Sequence, residues 1–167
     1  MASLDTSTHP EQNANVFASA GSGKTWLLIT RICRLLLAGA EPHHILAITF
    51  TRKSAAEMRA RLFDKLEAWS VMDDAALRIE LSAIKETTDS TTLEKARALY
   101  EKLLFSNQTI RISTFHAFCE EIIRAFPLES ELPTTFELTE HSHIYSIQAW
   151  QRLLTCLLYT SPSPRDS

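Results

Sequence analysis

The chain has 167 residues, 45% of them hydrophobic and 22% charged, the balance of one soluble globular domain and not of a disordered or fibrous chain. No apolar run approaches the roughly 20 residues of a membrane span, and the polar start Met1-Ala2-Ser3-Leu4-Asp5-Thr6 lacks a secretory apolar region. A net charge of −3 excludes a whole-chain basic field, so any case for nucleic acid must come from local placement. Three cysteines, Cys33, Cys119 and Cys156, are far apart and form no Cys-x-x-Cys pair. They argue against a disulfide framework or a zinc site and make a reducing cytoplasm the expected compartment. Glycine is scarce, three residues where average usage near 7% would give roughly 12. Two of the three, Gly21 and Gly23, fall in one octapeptide.

Taken in order, the pattern alternates strand and helix. Asn15 to Ala18 is a short apolar run, expected as a buried strand. Helical spacing follows the octapeptide, with Leu27, Leu28, Ile32, Leu35 and Leu36 on one side, Gly39 as a C-terminal cap and Pro42 as the stop. Ile45 to Thr51 is nearly all apolar, like a parallel strand covered on both faces. Ala55, Met58, Leu62, Leu66 and Trp69 mark a long amphipathic helix. Asp73–Ile84 and Thr92–Leu104 read as two more helices, the second with its stripe on Leu93, Ala96, Tyr100, Leu103 and Leu104. Thr109 to Thr114 alternates as a third strand, and Phe115 to Phe126 is helical until Pro127. From Leu128 to His143 there are four glutamates and no lysine or arginine, a shift in composition. The fold class expected is α/β, a parallel sheet flanked by helices.

The octapeptide Ala18-Ser19-Ala20-Gly21-Ser22-Gly23-Lys24-Thr25 sits at a strand-to-helix turn and carries the Gly-Lys-Thr core of a P-loop. Glycines let the backbone wrap a phosphate without a Cβ in the way, and successive N–H groups form an anion nest. The helix beginning near Lys24 aims its partial positive end at the same point. Lys24 would meet the β- and γ-phosphates of ATP, and the Thr25 hydroxyl would hold Mg²⁺. The general pattern has glycine where Ala18 stands.

Two further segments narrow the reading. Ile48-Thr49-Phe50-Thr51-Arg52-Lys53-Ser54-Ala55-Ala56-Glu57-Met58 resembles motif Ia of superfamily 1 helicases of the UvrD/Rep/RecB/AddA type. Ile112-Ser113-Thr114-Phe115-His116-Ala117-Phe118-Cys119 resembles their Thr-x-His-x-Phe segment, and the P-loop matches the family's Ala-x-Ala-Gly-Ser-Gly-Lys-Thr form, which accounts for Ala18. The resemblance covers roughly residues 10 to 140 and is closest in kind to AddA or RecB-like helicase–nuclease proteins. It implies a P-loop NTPase, a partial RecA-like lobe over 1–126 with a helical insertion at about 70–107, and the start of an inserted subdomain at 127–155. It further implies ATP-dependent 3′–5′ unwinding in DNA repair, with single-stranded DNA as substrate and, as partner, a second helicase–nuclease subunit. Phe50, Thr51, Arg52, Thr114 and His116 are the positions it assigns to the DNA path. An aromatic face beside cations is also how a sequence-tolerant groove for single strands is built. Between Arg52 and Lys65 five basic residues face two acidic ones, a local +3. The plainer alternative makes Phe50 a core residue and the arginines a solvated helix face.

Other candidates carry less. His43-His44 and His141-Ser142-His143 lack cysteine or carboxylate partners at ligand spacing. Glu120 and Glu121 are read as suiting a helix macrodipole, and Cys119 as a small core residue. Hydrolysis in the resembled family needs an Asp-Glu pair at a strand end. Asp73 and Asp74 precede a helical pattern and read as a cap, so the residues given are expected to bind ATP without turning it over. Gln12 lies only twelve residues before Lys24, close for an adenine-contacting glutamine. Cys156 to Asp166 matches, residue for residue, the conceptual translation of a common transposon-based sequencing adapter, so 156–167 is expected to be a read-through scar. Two rival readings remain at this point, a small-molecule P-loop kinase and a stand-alone nucleotide-binding module. The kinase offers no reason for the Thr-Phe-His segment, and a stop codon directly after a natural tail would favour the module.

Overall fold

A computed structural model describes residues 4–17, 19, 23–106, 109–130, 135–136 and 142–160, with side chains for all of these except 4, 5 and 157–160. Helix α1 (Leu4–Thr8) is one short turn, followed by irregular chain over 9–17. Helix α2 (Lys24–Leu37) starts at Gly23 and ends where the sequence places its stop. Gly39 takes φ +97°, its N–H bonds to the Leu36 carbonyl at 3.0 Å, and the Ala40 N–H bonds to Leu35 at 2.9 Å. That paired capping satisfies two carbonyls the helix leaves open and needs a left-handed residue, which glycine supplies. Pro42 then opens a 3₁₀ turn, Pro42–His44.

Strand β1 (Leu46–Thr49) leads into α3 (Arg52–Val71), whose first turn is capped by the Thr51 hydroxyl accepting the Ser54 N–H at 3.1 Å. Helix α4 (Asp74–Ala83) is capped by the Asp73 carboxylate, which accepts the Ala76 N–H at 2.7 Å. Asp73 is thus a cap, as its sequence context predicts. Helix α5 (Ser90–Phe105) is capped by Asp89, which accepts the Thr92 N–H at 2.7 Å. That bond, with help from the Thr91 hydroxyl, holds the Asp89 carboxyl below its usual value. The cap therefore stabilises above the ordinary aspartate range and is lost as pH falls through the lowered value. Strand β2 (Arg111–Thr114) runs directly into α6 (Phe115–Ala125), and α7 (Pro127–Ser130) and α8 (Ser142–Thr160) follow.

Helix α4 closes with the same paired cap as α2 but without glycine. Lys85 takes φ 64°, its N–H bonds to Ser82 at 3.0 Å, and the Glu86 N–H bonds to Leu81 at 3.0 Å. A left-handed residue with a Cβ carries a penalty of about 1–2 kcal/mol. Lys85→Gly is therefore expected to raise the unfolding free energy by about 0.5–1 kcal/mol, after the extra chain entropy of glycine is deducted. Urea denaturation checks this, and a loss of stability would show that the Lys85 side chain does more than suffer its backbone.

Among the described residues the sheet has two strands, β1 and β2, parallel and in the register Leu46↔Arg111 to Thr49↔Thr114. The strand expected at Asn15–Ala18 is not formed over 15–17, and Ala18 lies outside the described residues. Val16 is 43% exposed and Phe17 98%. Extended chain becomes a strand only when a neighbouring backbone takes its N–H and C=O groups, and among the described residues no strand pairs with 15–17.

One apolar core joins α2, α3, α4, α5 and β2, with Ile32, Leu62, Trp69, Leu77, Leu93 and Ile112 among its members. Helices α4 and α5 lie in the stretch 70–107 where a helical insertion is expected, and their Leu77, Leu81, Leu93 and Leu99 belong to this core. The α3 stripe is as the spacing predicts, with Met58, Leu62, Leu66 and Trp69 buried. The α2 face is turned from the expected one: Ile29, Ile32, Cys33, Leu36 and Leu37 are buried while Leu28 is 44% exposed. Helix α5 likewise buries Leu99 and leaves Leu104 52% exposed. Both helices carry leucines on adjacent columns, so spacing alone does not choose the column that faces the core. The chain divides into two compact units, 1–122 and 123–167. In the second, the Arg124 guanidinium lies 4.5 Å from the centre of the Phe136 ring and donates to the Phe136 carbonyl at 3.2 Å. Among the described residues no helix is long and apolar enough to cross a membrane.

Candidate nucleotide and nucleic-acid sites

Of the octapeptide, Ser19, Gly23, Lys24 and Thr25 are described, while Ala18, Ala20, Gly21 and Ser22 lie outside the described residues. Gly23 adopts φ 80°, ψ 17°, the left-handed region, immediately before the first turn of α2. A Cβ there would meet nothing within 4 Å, so backbone conformation, not space, is what asks for glycine. The Lys24 ammonium donates to the Ser19 carbonyl at 2.6 Å, which holds it at the loop it must serve. Thr25 follows, half-buried, in the same turn. An ammonium, a hydroxyl and the open N–H groups of a 14-residue helix converge here, a donor set that fits a polyphosphate with its Mg²⁺. Beside Lys24 a cleft of about 640 Å³ opens between α2 and the N-terminal segment, lined by Ser7, Asn13 to Val16, Leu27, Leu28 and Arg31.

The second set of residues gathers at the C-terminal edge of the sheet. Because the strands are parallel and Thr49 stands opposite Thr114, the turns that leave both strands emerge side by side. Phe50 and Thr51 leave β1, and Phe115 and His116 leave β2. Phe50 is 90% exposed, so its ring is not a core ring. Thr51 caps α3, and the Thr49 hydroxyl donates to the Thr51 carbonyl at 3.0 Å, fixing the turn beneath Phe50. Thr114 caps α6 by accepting the Ala117 N–H at 3.2 Å. His116 is exposed, its ring set edge-on to Phe115 at 6.2 Å. Two helix N-termini thus open on one edge, and Arg52 and Lys53 are exposed in the first turn of α3. A groove of about 510 Å³ runs on from this edge, with Arg52 and Arg59 on one wall and Ile112, Ser113 and Thr114 on the other. The rest of the local +3 is already engaged. Arg59 donates to the Ile112 carbonyl at 3.2 Å, Arg61 pairs with Glu57, and Lys65 pairs with Glu80 at 2.9 Å.

The minor candidates resolve into local structure. The His43 and His44 rings lie tilted at 51° to each other, ring centres 4.0 Å apart, in the 3₁₀ turn. His143 is exposed and His141 lies outside the described residues. Cys33 is fully buried, and burial pushes its thiol up to about 12, so it stays protonated and unreactive. Cys119 is only half-buried, because α6 has no fully buried residue. Glu120 and Glu121 fall beyond the first turn of α6, where the macrodipole is weak, and Glu121 pairs instead with Arg111. Spacing gave no notice of Arg34, which is 4% exposed inside α2. Its Nε bonds Glu86 at 2.7 Å and its Nη1 bonds the Thr8 hydroxyl at 2.8 Å. An arginine among leucines, three residues after another arginine, is the signal that was available.

A parallel two-stranded sheet flanked by helices makes this an α/β fold, and a left-handed glycine and a loop-held lysine at a helix N-terminus are consistent with part of a P-loop domain. The chain belongs to the UvrD/REP helicase N-terminal domain family, which it matches over residues 2–165. Among its relatives is the A subunit of the ATP-dependent helicase/nuclease of Latilactobacillus sakei subsp. sakei (strain 23K), 32% identical over 148 residues. That alignment covers 87% of this chain and 15% of the relative. The protein of the same name from Listeria monocytogenes serotype 4a (strain HCC23) is 37% identical over 131 residues, 77% of this chain and 9% of the relative. The one from Ligilactobacillus salivarius (strain UCC118) is 35% identical over 138 residues, 82% of this chain and 10% of the relative. The chain thus spans a small part of the length of these curated relatives.

Proposed function

We propose that this chain is the ATP-binding part of a 3′–5′ DNA helicase of the AddA helicase–nuclease kind, acting on single-stranded DNA in repair and recombination and working beside a second, different subunit. In this reading Ala18 to Thr25 cradle the triphosphate, Lys24 neutralises its β- and γ-oxygens, and Thr25 offers its hydroxyl to Mg²⁺. The bound Mg-ATP supplies the phosphoryl bond whose hydrolysis the complete protein uses. Phe50, Thr51, Arg52, Thr114 and His116 line the strand's path. The observation that carries this reading is the Thr49↔Thr114 register, which sets both DNA segments on one sheet edge with an exposed ring between two helix N-termini. A phosphoacceptor kinase also uses the carboxyl edge of its sheet, but it gives no reason for the exposed Phe50 ring or for the Thr114-Phe115-His116 segment there.

The test is Phe50→Ala in the complete helicase. Loss of one stacked base should weaken single-stranded DNA binding by about 1–3 kcal/mol. Because Phe50 lies outside the 640 Å³ cleft, ATP affinity should stay within twofold. A fluorescence titration with unchanged DNA affinity would remove Phe50 from the path.

A further inference from the structure

The wall of the cleft beside Lys24 is held by few bonds. Among the described residues, the backbone over 9–17 donates two local bonds, Gln12 N–H to the His9 carbonyl at 3.4 Å and Glu11 N–H to the His9 Nδ1 at 3.3 Å. Residues 11–17 are all exposed, and no strand pairing supports them. Two arginines one helical turn apart join α2 to this segment and to the α1 turn before it. Arg31 donates from Nη2 to the Gln12 carbonyl at 2.8 Å and from Nη1 to the Ser7 carbonyl at 3.4 Å. Arg34 reaches the Thr8 hydroxyl and, on its other side, Glu86 beyond α4.

We propose that Arg31 is a positioning residue for base recognition: it clamps the carbonyls of Ser7 and Gln12 so that the segment after them forms the base-accepting wall of the cleft. This rests on the reading of Lys24 as the phosphate-binding lysine. The cleft has the composition a nucleoside needs. Val16, Leu27 and Leu28 offer apolar surface for ring faces, and Asn13 and Asn15 carry amides with both donors and acceptors for ring edges. Its volume of about 640 Å³ accepts a base and its sugar. A guanidinium holds two acceptors in one rigid plane, whereas a lysine ammonium is a single point on a flexible stem. Charge alone therefore does not replace Arg31. Arg34, buried and paired to Glu86, fixes the start of the same wall to the end of α4.

The test compares ATP with inorganic tripolyphosphate, which has the phosphates and no base, on the 167-residue chain and its variants by calorimetric titration with Mg²⁺. Arg31→Gln and Arg31→Lys are both expected to weaken ATP at least fivefold and to leave tripolyphosphate within twofold. Lys24→Ala should weaken both ligands. Hydrogen exchange without ligand gives a second arm, in which both Arg31 variants should exchange faster over 7–17 while α3 and α5 stay protected. Equal weakening of ATP and tripolyphosphate, or rescue of ATP binding by Arg31→Lys, would make Arg31 a phosphate-directed charge and overturn the proposal. So would unchanged exchange over 7–17. If tripolyphosphate binds the parent chain no better than Lys24→Ala, the phosphate-loop reading itself fails and the proposal falls with it, a result that the Arg31 variants cannot produce.

Discussion

Replacing Lys24 by alanine is expected to abolish Mg-ATP binding, a loss of at least a hundredfold, or about 2.7 kcal/mol. The ammonium is the one formal cation that the described part of the loop brings to a ligand carrying several negative charges, and charge-assisted bonds are the strong ones. The fold should not notice. Lys24 is exposed and its bond to Ser19 is local, so the unfolding free energy should move by no more than about 0.5 kcal/mol. Titration calorimetry beside a urea curve separates the two quantities. Retained ATP affinity in a variant of unchanged stability would place the nucleotide elsewhere.

The largest effect on stability is expected at Trp69. Its side chain is fully buried in α3, at the centre of the core that joins α2 through α5. Trp69→Ala should lower the unfolding free energy by about 3–5 kcal/mol through lost transfer energy and the cavity left behind. Trp69→Phe should cost much less. The indole N–H is buried without a hydrogen-bond partner among the described residues, and phenylalanine removes that unsatisfied donor along with part of the ring. The Lys65 ammonium, 5.2 Å from the ring centre and already paired with Glu80, retains an aromatic face in the phenylalanine variant. Equal losses for the two substitutions, measured by far-ultraviolet circular dichroism in urea, would show that the N–H finds a partner in solution.

Much of the candidate chemistry was legible because it is local. A Gly-Lys-Thr at the head of a helix, an aspartate three residues before the N–H it caps, and a Gly39 followed by Pro42 all act within one turn of chain. The sequence order of residues is then also their spatial order. For the same reason Asp73 could be assigned to a helix cap and not to an acidic pair.

What spacing could not supply were choices between equivalent local solutions. In α2 and α5 leucines stand on adjacent columns, and only the shapes of the neighbouring helices decided that Leu37 and Leu99 are buried while Leu28 and Leu104 are exposed. Apolar Asn15-Val16-Phe17 reads as a strand, but a strand exists only where a neighbouring backbone pairs with it, and among the described residues none pairs with this segment. Lys85 in the left-handed region and Arg34 inside the core depend on partners 26 to 52 residues away or on the path of the chain after α4. By itself, then, the sequence determined the helices, the two strands that pair and the glycine-rich octapeptide at the head of α2, because periodicity and capping are properties of consecutive residues. Tertiary structure alone decided that the turns after β1 and β2 meet on one sheet edge and that Arg31 and Arg34 of α2 bond the Gln12 carbonyl and the Thr8 hydroxyl, because strand register and side-chain bonds join residues that no local rule relates.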